Sequence, residues 1–163
     1  MIKAIIFDCF GVLILDGSFQ SLLRKLETSS PDKKQQLIDI VDASCAGQIG
    51  PIESRKRIAK LLGMDSDEWQ RQMLEGEFKD PEIMAYIKQL RKKYKTGILS
   101  NVSSGGLQER FTTDELDSLF DVVIGSADVG MQKPDPEMYE LAADRLGVET
   151  SECVFIDDLE RHL

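Results

Sequence analysis

The sequence predicts an α/β protein in which helices flank a parallel sheet and a small all-helical segment is inserted after the first strand. Two observations support this fold class. Short apolar runs alternate with longer stretches of helical periodicity, which is the pattern of parallel strands joined by right-handed crossovers. Residues 18–76, in contrast, show helical periodicity only.

The apolar run at residues 2–7 predicts the first strand. It is short and continuous and contains Ile5, Ile6 and Phe7, which suits a strand buried on both faces. Asp8 ends the run, and a carboxylate at the carboxyl end of such a strand lies where open α/β sheets bind ligands. Asp8 by itself is equally compatible with a turn cap, so its role depends on how the other strands end.

Four helices are predicted in the inserted segment. Pro31 and Pro51 stand at first helical positions, where a missing N–H is tolerated, and Asp65 with Glu68 has the spacing of a capping box. Apolar residues recur on one side of each helix: Leu22, Leu26, Leu37, Val41, Ile58, Leu61, Trp69 and Met73. The predicted domains are a helical cap at 16–77 and an α/β core at 1–15 and 78–163.

The remainder of the chain returns to the alternating pattern. Three further strands are predicted, at residues 96–99, 122–125 and 153–156. Helices are predicted to begin at Pro81 and Pro136, and a weaker helical pattern covers residues 107–119. These elements complete a sheet whose strands are connected through helices.

Composition excludes several classes of protein. The net charge of −9 over 163 residues argues against non-specific binding to nucleic acid. No apolar run approaches the roughly 18 residues of a membrane span, and the N-terminus lacks the pattern of a signal peptide. The three cysteines have no metal-binding spacing. We therefore expect a cytoplasmic protein without nucleic-acid or membrane partners.

Polar residues end three of the predicted strands: Asp8, Ser100 with Asn101, and Asp157 with Asp158. In a parallel sheet these ends share one edge, and Lys133 can reach the same edge from the start of a helix. Two carboxylates about 4 Å apart repel by roughly 4 kcal/mol at an effective dielectric of about 20, so a divalent cation is expected. An all-oxygen ligand set suits Mg²⁺. The alternative is a set of turn caps that never meet.

A hydroxyl and an ammonium at this edge would bind an anion such as phosphate. A carboxylate that faces a bound phosphate is a candidate nucleophile. The residues therefore predict phosphoryl transfer by way of an aspartyl-phosphate.

The order of these residues resembles the four motifs of the haloacid dehalogenase superfamily, the aspartate-nucleophile phosphatases and related hydrolases. The helical insert resembles the cap domain of that family, and the sheet would be Rossmann-like. The segments SNVSS and DVGMQKPDPEMY are most similar to the phosphatase branch. The resemblance implies Asp8 and Lys133 as the catalytic residues, with Asp8 as nucleophile. It implies Asp8, the backbone carbonyl of Phe10, Asp157 and Asp158 as Mg²⁺ ligands, and Ser100, Asn101 and Lys133 as phosphate-binding residues.

The chain departs from the pattern of that family in two places. Phosphatases of the superfamily usually carry a second Asp where this chain has Phe10, and loss of a general acid–base typically costs about 10²–10⁴ in rate. The family also has further sheet elements after the fourth motif, and these are missing after Leu163. The strand at 153–156 is then expected to be an open edge, which a second copy or another partner would cover. His162 is expected to be a frayed tail residue.

Three functions follow from these features. The first is an Mg²⁺-dependent phosphatase of a small phosphorylated metabolite. The second is a metal-independent hydrolase of the 2-haloacid dehalogenase type, which Phe10 favours and the Asp157-Asp158 pair disfavours. The third is a truncated, non-catalytic member that binds a phosphorylated ligand or a protein partner.

Overall fold

The computed structural model describes residues 1–162, with residue 16 described only as part of its strand. Leu163, the predicted end of the core, lies outside the described residues. Six strands are present: β1 (Ala4–Phe7), β2 (Ile14–Asp16), β3 (Glu77–Lys79), β4 (Lys95–Ser100), β5 (Val122–Gly125) and β6 (Cys153–Ile156). Eight α-helices accompany them: α1 (Gly17–Ser29), α2 (Pro31–Cys45), α3 (Pro51–Leu62), α4 (Ser66–Glu75), α5 (Pro81–Leu90), α6 (Thr113–Leu119), α7 (Ser126–Val129) and α8 (Pro136–Leu146).

Four strands form the central sheet, in the order β5-β4-β1-β6. All three pairings in this sheet are parallel, so the predicted fold class is confirmed. The strands are short and apolar because both faces of the sheet are covered. Helix α8 packs Met138, Ala142 and Leu146 on one face, whereas α5 and α6 contribute Ile87 and Leu116 to a second cluster on Phe7 and Ile98.

Helices α1–α4 together form the helical insert, residues 17–75. Leu26, Leu37, Ile58 and Trp69 make a separate buried cluster inside it. Asp65 caps α4 by accepting hydrogen bonds from the backbone N–H groups of Asp67 and Glu68, which satisfies two of the free donors of the first turn. The domain boundaries at 15/16 and 77/78 stay a prediction.

A two-stranded ribbon joins the helical insert to the core and was not predicted. Strands β2 and β3 pair antiparallel, with Leu15 opposite Phe78. Each strand has three residues, which is too short for a period-two pattern to stand out. Because about half of each of these two side chains is exposed, hydrophobicity carries little signal there either.

The helix predicted at residues 107–119 begins later in the structure. Leu107 and Phe111 are buried in turns, and α6 starts after Thr112. The side chain of Thr112 accepts a hydrogen bond from the backbone of Glu115, and the Glu115 carboxylate accepts one from the backbone of Thr112. This capping box fixes the start of the helix. The apolar spacing before it reflects packing of a loop against the core.

Strand β6 lies at one edge of the central sheet and pairs only with β1 among the described residues. Val154 and Ile156 on this strand are 40% and 38% exposed. A partner or second copy at this edge stays a prediction. Among the described residues, no helix has the length and apolar character needed to cross a membrane.

Candidate active site

The first two candidate residues lie at the carboxyl ends of adjacent strands. Asp8 follows β1 directly, and its backbone N–H donates to the carbonyl of Ile156, 2.8 Å away on β6. Ser100 is the last residue of β4. Because β1 and β4 pair in parallel with Phe7 opposite Ile98, their ends share one edge of the sheet. The side chains of Asp8 and Ser100 are both buried there.

Lys133 lies at the same edge of the sheet as Asp8 and Ser100. Its ammonium Nζ lies 2.9 Å from Asp8 Oδ1 and 2.5 Å from Asp157 Oδ2, and its side chain is fully buried. Such a lysine is stable in the interior only because carboxylates pair with it. The lysine therefore links the ends of β1 and β6.

Asn101 holds the backbone of Lys133. Its Nδ2 donates to the Lys133 carbonyl at 2.9 Å, and its Oδ1 accepts from the Lys133 N–H at 2.8 Å. The sequence predicts Asn101 as a phosphate-binding residue; in the structure both polar atoms of its side chain are bonded to the lysine segment. This positioning contact between residues 32 apart in the chain has no local sequence signal.

Asp157 is the most heavily bonded carboxylate of the site. It accepts from Lys133 Nζ, and its Oδ1 accepts from the backbone N–H of Leu159 at 2.9 Å. Burial alone would raise the pKa of Asp157, but the hydrogen bonds from Lys133 and Leu159 outweigh it and hold the pKa below its usual value. Asp157 is therefore ionised, and its charge neutralises Lys133.

The position of His162 corrects the expectation of a frayed tail. The residue is buried, and its Nδ1 lies 3.2 Å from Asp157 Oδ2. Its backbone carbonyl accepts a hydrogen bond of 2.6 Å from the hydroxyl of Tyr139. These contacts tie the short 3₁₀ turn Glu160–His162 to the end of β6. Position near the end of a chain does not predict exposure when such tertiary contacts exist.

Asp158 completes an acidic cluster. One carboxylate oxygen from each of Asp8, Asp157 and Asp158 lies within 4.8 Å of the others. Burial, followed by the charges of Asp8 and Asp157, raises the pKa of Asp158. Gly11 stands against this carboxylate with a φ of +80°, and a Cβ at that position would overlap the carboxylate of Asp158. Glycine is therefore required both for the turn and for the close approach.

Two buried polar atoms of the site have no hydrogen-bond partner among the described residues. They are Oδ1 of Asp8 and Oγ of Ser100. Lys133 is close to the first atom, but the approach does not have hydrogen-bond geometry. Buried polar atoms are normally satisfied, so an acceptor and a donor at this edge are available to a ligand. The cluster of carboxylates beside them could hold a divalent cation.

Phe10 lies at the border of the site, in contact with Arg110. The guanidinium carbon of Arg110 lies 4.8 Å from the centre of the Phe10 ring, a cation–π contact. Arg110 also donates to Glu77 Oε1 from Nη2 at 2.6 Å and from Nε at 3.0 Å. Sequence reasoning missed both charged residues, because they lie on the ribbon and on a loop and belong to no motif.

The chain belongs to the haloacid dehalogenase-like hydrolase family, which it matches over residues 2–161. The resemblance inferred from the four motifs is thus confirmed.

Individual relatives agree with this assignment. The chain is 30% identical to D-ribitol-5-phosphate phosphatase of Bacteroides thetaiotaomicron, over 97% of its own length and 84% of that protein. It is 38% identical to bifunctional epoxide hydrolase 2 of Sus scrofa, over 51% of its own length and 16% of that protein. The chain spans only 16%, 37% and 33% of the length of three curated relatives that it matches.

A solved structure of a haloacid dehalogenase family enzyme from Bacteroides thetaiotaomicron, in complex with magnesium and inorganic phosphate, shares the fold. Its TM-score is 0.80 at 24% identity, and the match covers 99% of this chain and 87% of that chain.

Proposed function

We propose that this protein is a Mg²⁺-dependent phosphatase that acts on a small phosphorylated metabolite through an aspartyl-phosphate on Asp8. The observation that carries the proposal is the convergence of Asp8, Ser100 and Lys133 at one edge of the sheet, beside the Asp157 and Asp158 carboxylates. Ser100 Oγ is buried and makes no hydrogen bond to a described residue, and Lys133 supplies a fixed positive charge 2.9 Å from Asp8 Oδ1. The similarity to D-ribitol-5-phosphate phosphatase, a relative matched over 84% of its length, supports it.

Asp8 acts as the nucleophile in the first step. A carboxylate oxygen of Asp8 forms a bond to phosphorus while the bond from phosphorus to the ester oxygen breaks. The departing alkoxide takes a proton from solvent. In the second step water attacks phosphorus, the bond to Asp8 breaks, and inorganic phosphate leaves with the carboxylate restored and a proton released to solvent.

Ser100 and Lys133 bind the phosphoryl group during both steps. The Ser100 hydroxyl donates to a phosphoryl oxygen, and the Lys133 ammonium offsets the negative charge. Asp157 positions Lys133 through the 2.5 Å hydrogen bond, and Asn101 positions the lysine backbone. A neutral side chain at position 157 would leave Lys133 without one of its two carboxylate partners.

The residues present fit a magnesium ion. The Asp8 carboxylate has no hydrogen bond at its buried Oδ1 beyond the ion pair with Lys133, and Asp158 carries a raised pKa because of burial and of its acidic neighbours, a cost that a cation would relieve. Asp8, Asp158 and the backbone carbonyl of Phe10 would hold the ion. The sequence also assigns Asp157 to it, and Asp157 belongs to the same cluster of carboxylates; each of its oxygens accepts one hydrogen bond and keeps a lone pair for a ligand contact. When bound, Mg²⁺ would supply positive charge to the phosphate.

Phe10 lowers the rate that we expect. An aromatic ring cannot protonate the leaving group or activate water, so solvent must do both. Phe10→Asp would restore a carboxyl group at position 10. The Arg110 guanidinium, which lies beside the Phe10 ring, would hold the pKa of this new carboxyl group low and make it a weaker acid catalyst. We expect the gain in kcat to stay well under the roughly 10⁴-fold upper range of acid–base catalysis.

The direct test compares wild type with Asp8→Asn. Phosphate release from an aryl phosphate in the presence of Mg²⁺ should fall at least about 10⁴-fold, as expected when a covalent nucleophile is lost. Asp144→Asn, an exposed position on α8, is the matched control and should retain full activity. Equal rates for wild type and Asp8→Asn would reject the proposal.

Two further assays separate the two other functions. Halide release from a 2-haloacid that persists in EDTA would identify a dehalogenase-type hydrolase. Absence of turnover on a broad panel of phosphate esters, with retained Mg²⁺ binding, would identify a non-catalytic ligand-binding protein.

A further inference from the structure

The helical insert carries an open groove of about 750 Å³ between α1 and α4. That volume lies within the usual range of small-molecule binding sites, roughly 300–1,000 Å³. The described residues that line the groove belong to the four helices and their connections, and they include none of the residues assigned to the active site. The groove is therefore a separate cavity with no role in the proposed phosphatase chemistry.

Two helices supply the long walls of the groove. On α1 the lining residues Ser18, Leu22 and Leu26 recur every four positions. On α4 the lining residues Trp69 and Met73 have the same spacing. Residues spaced in this way share one face of a helix. Because a helix rises 1.5 Å per residue, the α1 face from Ser18 to Leu26 is about 12 Å long, and an elongated groove of this kind suits a linear ligand.

The floor of the groove is apolar. Leu26 and Trp69 belong to the buried cluster of the insert and are 7% and 6% exposed. Met64 and Met73 pack against that cluster, and all four residues line the groove. Methionine side chains adapt their shape to irregular apolar partners, so a saturated hydrocarbon chain would bury apolar surface on this floor.

The two ends of the groove differ in charge. Lys25 on α1 and Lys33 in the first turn of α2 line one end, on either side of the turn that joins these helices. Within the described part of the chain neither ammonium has an ion-pair partner, whereas the neighbouring Lys34 pairs with Glu27 at 3.1 Å. Lys25 and Lys33 therefore supply positive charge that no carboxylate of the protein neutralises, beside the apolar floor.

The opposite end of the groove lies next to the ribbon and carries an acidic residue. A Cβ at Gly76 would overlap the side chain of Ser18, so the end of α4 meets the start of α1 there. Glu75 lines this end, and its carboxylate pairs with Arg71 at 2.8 Å. An anionic head group is therefore attracted to the lysine end, and a hydrocarbon chain would extend along the floor toward the ribbon.

We propose that this groove binds a single-chain amphiphile with an anionic head group, such as a fatty-acid anion. The head group lies between Lys25 and Lys33, and the alkyl chain lies over Trp69 and Met73. This ligand site is distinct from the active site, and it does not depend on the proposed phosphatase function.

The test titrates wild type with octanoate, below the concentration at which octanoate forms micelles. Calorimetry measures the affinity, and the emission of Trp69, the single tryptophan of the chain, reports occupancy of the groove. We expect saturable binding with a change in emission. Methyl octanoate has the same chain without the charge and should bind about tenfold more weakly, because two exposed charge contacts are lost. Absence of saturable binding, or equal affinity for the two compounds, would overturn the proposal.

Matched variants locate the site on the protein. Lys25→Gln combined with Lys33→Gln should weaken octanoate binding about tenfold, whereas Lys56→Gln, at an exposed position on α3 outside the groove, should bind like wild type. Ser21 lines the groove from an exposed position on α1, so Ser21→Phe should fill the groove and abolish binding. Gln20→Phe is the control, because Gln20 is exposed on the same helix and does not line the groove.

Two results would show that octanoate binds elsewhere. Wild-type affinity in the lysine double variant or in Ser21→Phe would overturn the groove as the site. Displacement of octanoate by inorganic phosphate with Mg²⁺ would place octanoate in the active site and would also overturn the proposal. Failure of the phosphatase function is seen separately, as absence of turnover, and leaves the octanoate measurements unchanged.

Discussion

Apolar contacts stabilise the α/β core and, separately, the helical insert, whereas polar contacts join the two regions. Each of the three apolar clusters lies wholly in one region: two in the core and one among α1–α4. Two contacts that join the regions are polar. Arg55 on α3 faces Glu109 at 3.8 Å, and Ser126 donates to the carbonyl of Cys45.

The ribbon of β2 and β3 is likewise held by polar contacts. Glu77 pairs with Arg110, and Lys79 Nζ lies 2.6 Å from Glu115. Apolar burial supplies most of the stability of a folded region, whereas partly exposed polar contacts contribute less and can exchange with water. Each region is therefore stabilised from within, and weaker polar contacts join the two.

The largest expected effects come from substitutions in two of the three apolar clusters. Leu37 in the insert and Leu99 in the core are both fully buried, so Leu37→Ala and Leu99→Ala should each cost about 3–4 kcal/mol of unfolding free energy. If the clusters are independent, the double variant should show the sum of the two losses within about 0.5 kcal/mol in urea titrations. A coupling well above that value would show that the two regions share a core.

The ion pair between ribbon and loop should have the next largest effect. The Arg110 and Glu77 side chains are 15% and 9% exposed. Arg110→Met should therefore destabilise the protein by about 2–3 kcal/mol, because it removes the guanidinium from a largely buried carboxylate. Arg71→Met is the control, since Arg71 pairs with Glu68 and Glu75 on the exposed face of α4 and should melt like wild type. Equal melting of the two variants would contradict a structural role for the ribbon pair.

The substitution Asp158→Asn probes the core without the helical insert, and it should have a smaller effect on stability. Its folded-state pKa is raised, so its ionised form disfavours folding, and the penalty grows as pH rises through the titration range of the carboxyl group. Asp158→Asn should melt above metal-free wild type at pH 7, and the difference should shrink as the pH falls and wild type becomes protonated. Mg²⁺ should raise the melting temperature of wild type and not that of Asp158→Asn. The opposite pH trend would reject the acidic cluster as a source of strain.

The smallest effect concerns the rate at which buried cysteines react. Burial raises the pKa of both Cys9 and Cys45, so neither is expected to react readily with iodoacetamide at pH 8. Cys45 lies at the polar contact between the regions, whereas Cys9 is inside a core cluster. Mass spectrometry should therefore detect alkylation of Cys45 before Cys9, through local opening. Simultaneous labelling would indicate that the insert separates from the core only on global unfolding.

Much of this protein could be predicted from sequence, because the relevant signals are local. The strands at 122–125 and 153–156 were placed correctly, since short apolar runs ended by polar residues are a strong pattern. Helices beginning at Pro81 and Pro136 were also correct, since proline suits the first helical position. The set Asp8, Ser100, Lys133 and Asp157 with Asp158 followed from strand ends and motif order.

The sequence by itself thus determined the fold class, the helical insert and the identity of the residues at the carboxyl edge of the sheet. Only the tertiary structure decided how those residues are bonded: Asn101 to the backbone of Lys133, His162 beside Asp157, and Arg110 between Phe10 and Glu77. It also left the hydroxyl of Ser100 without a partner among the described residues. The physical reason is the separation along the chain over which each kind of interaction acts. Periodicity and capping act within a few residues, whereas these contacts join positions far apart in the chain that approach only when the sheet and insert have folded.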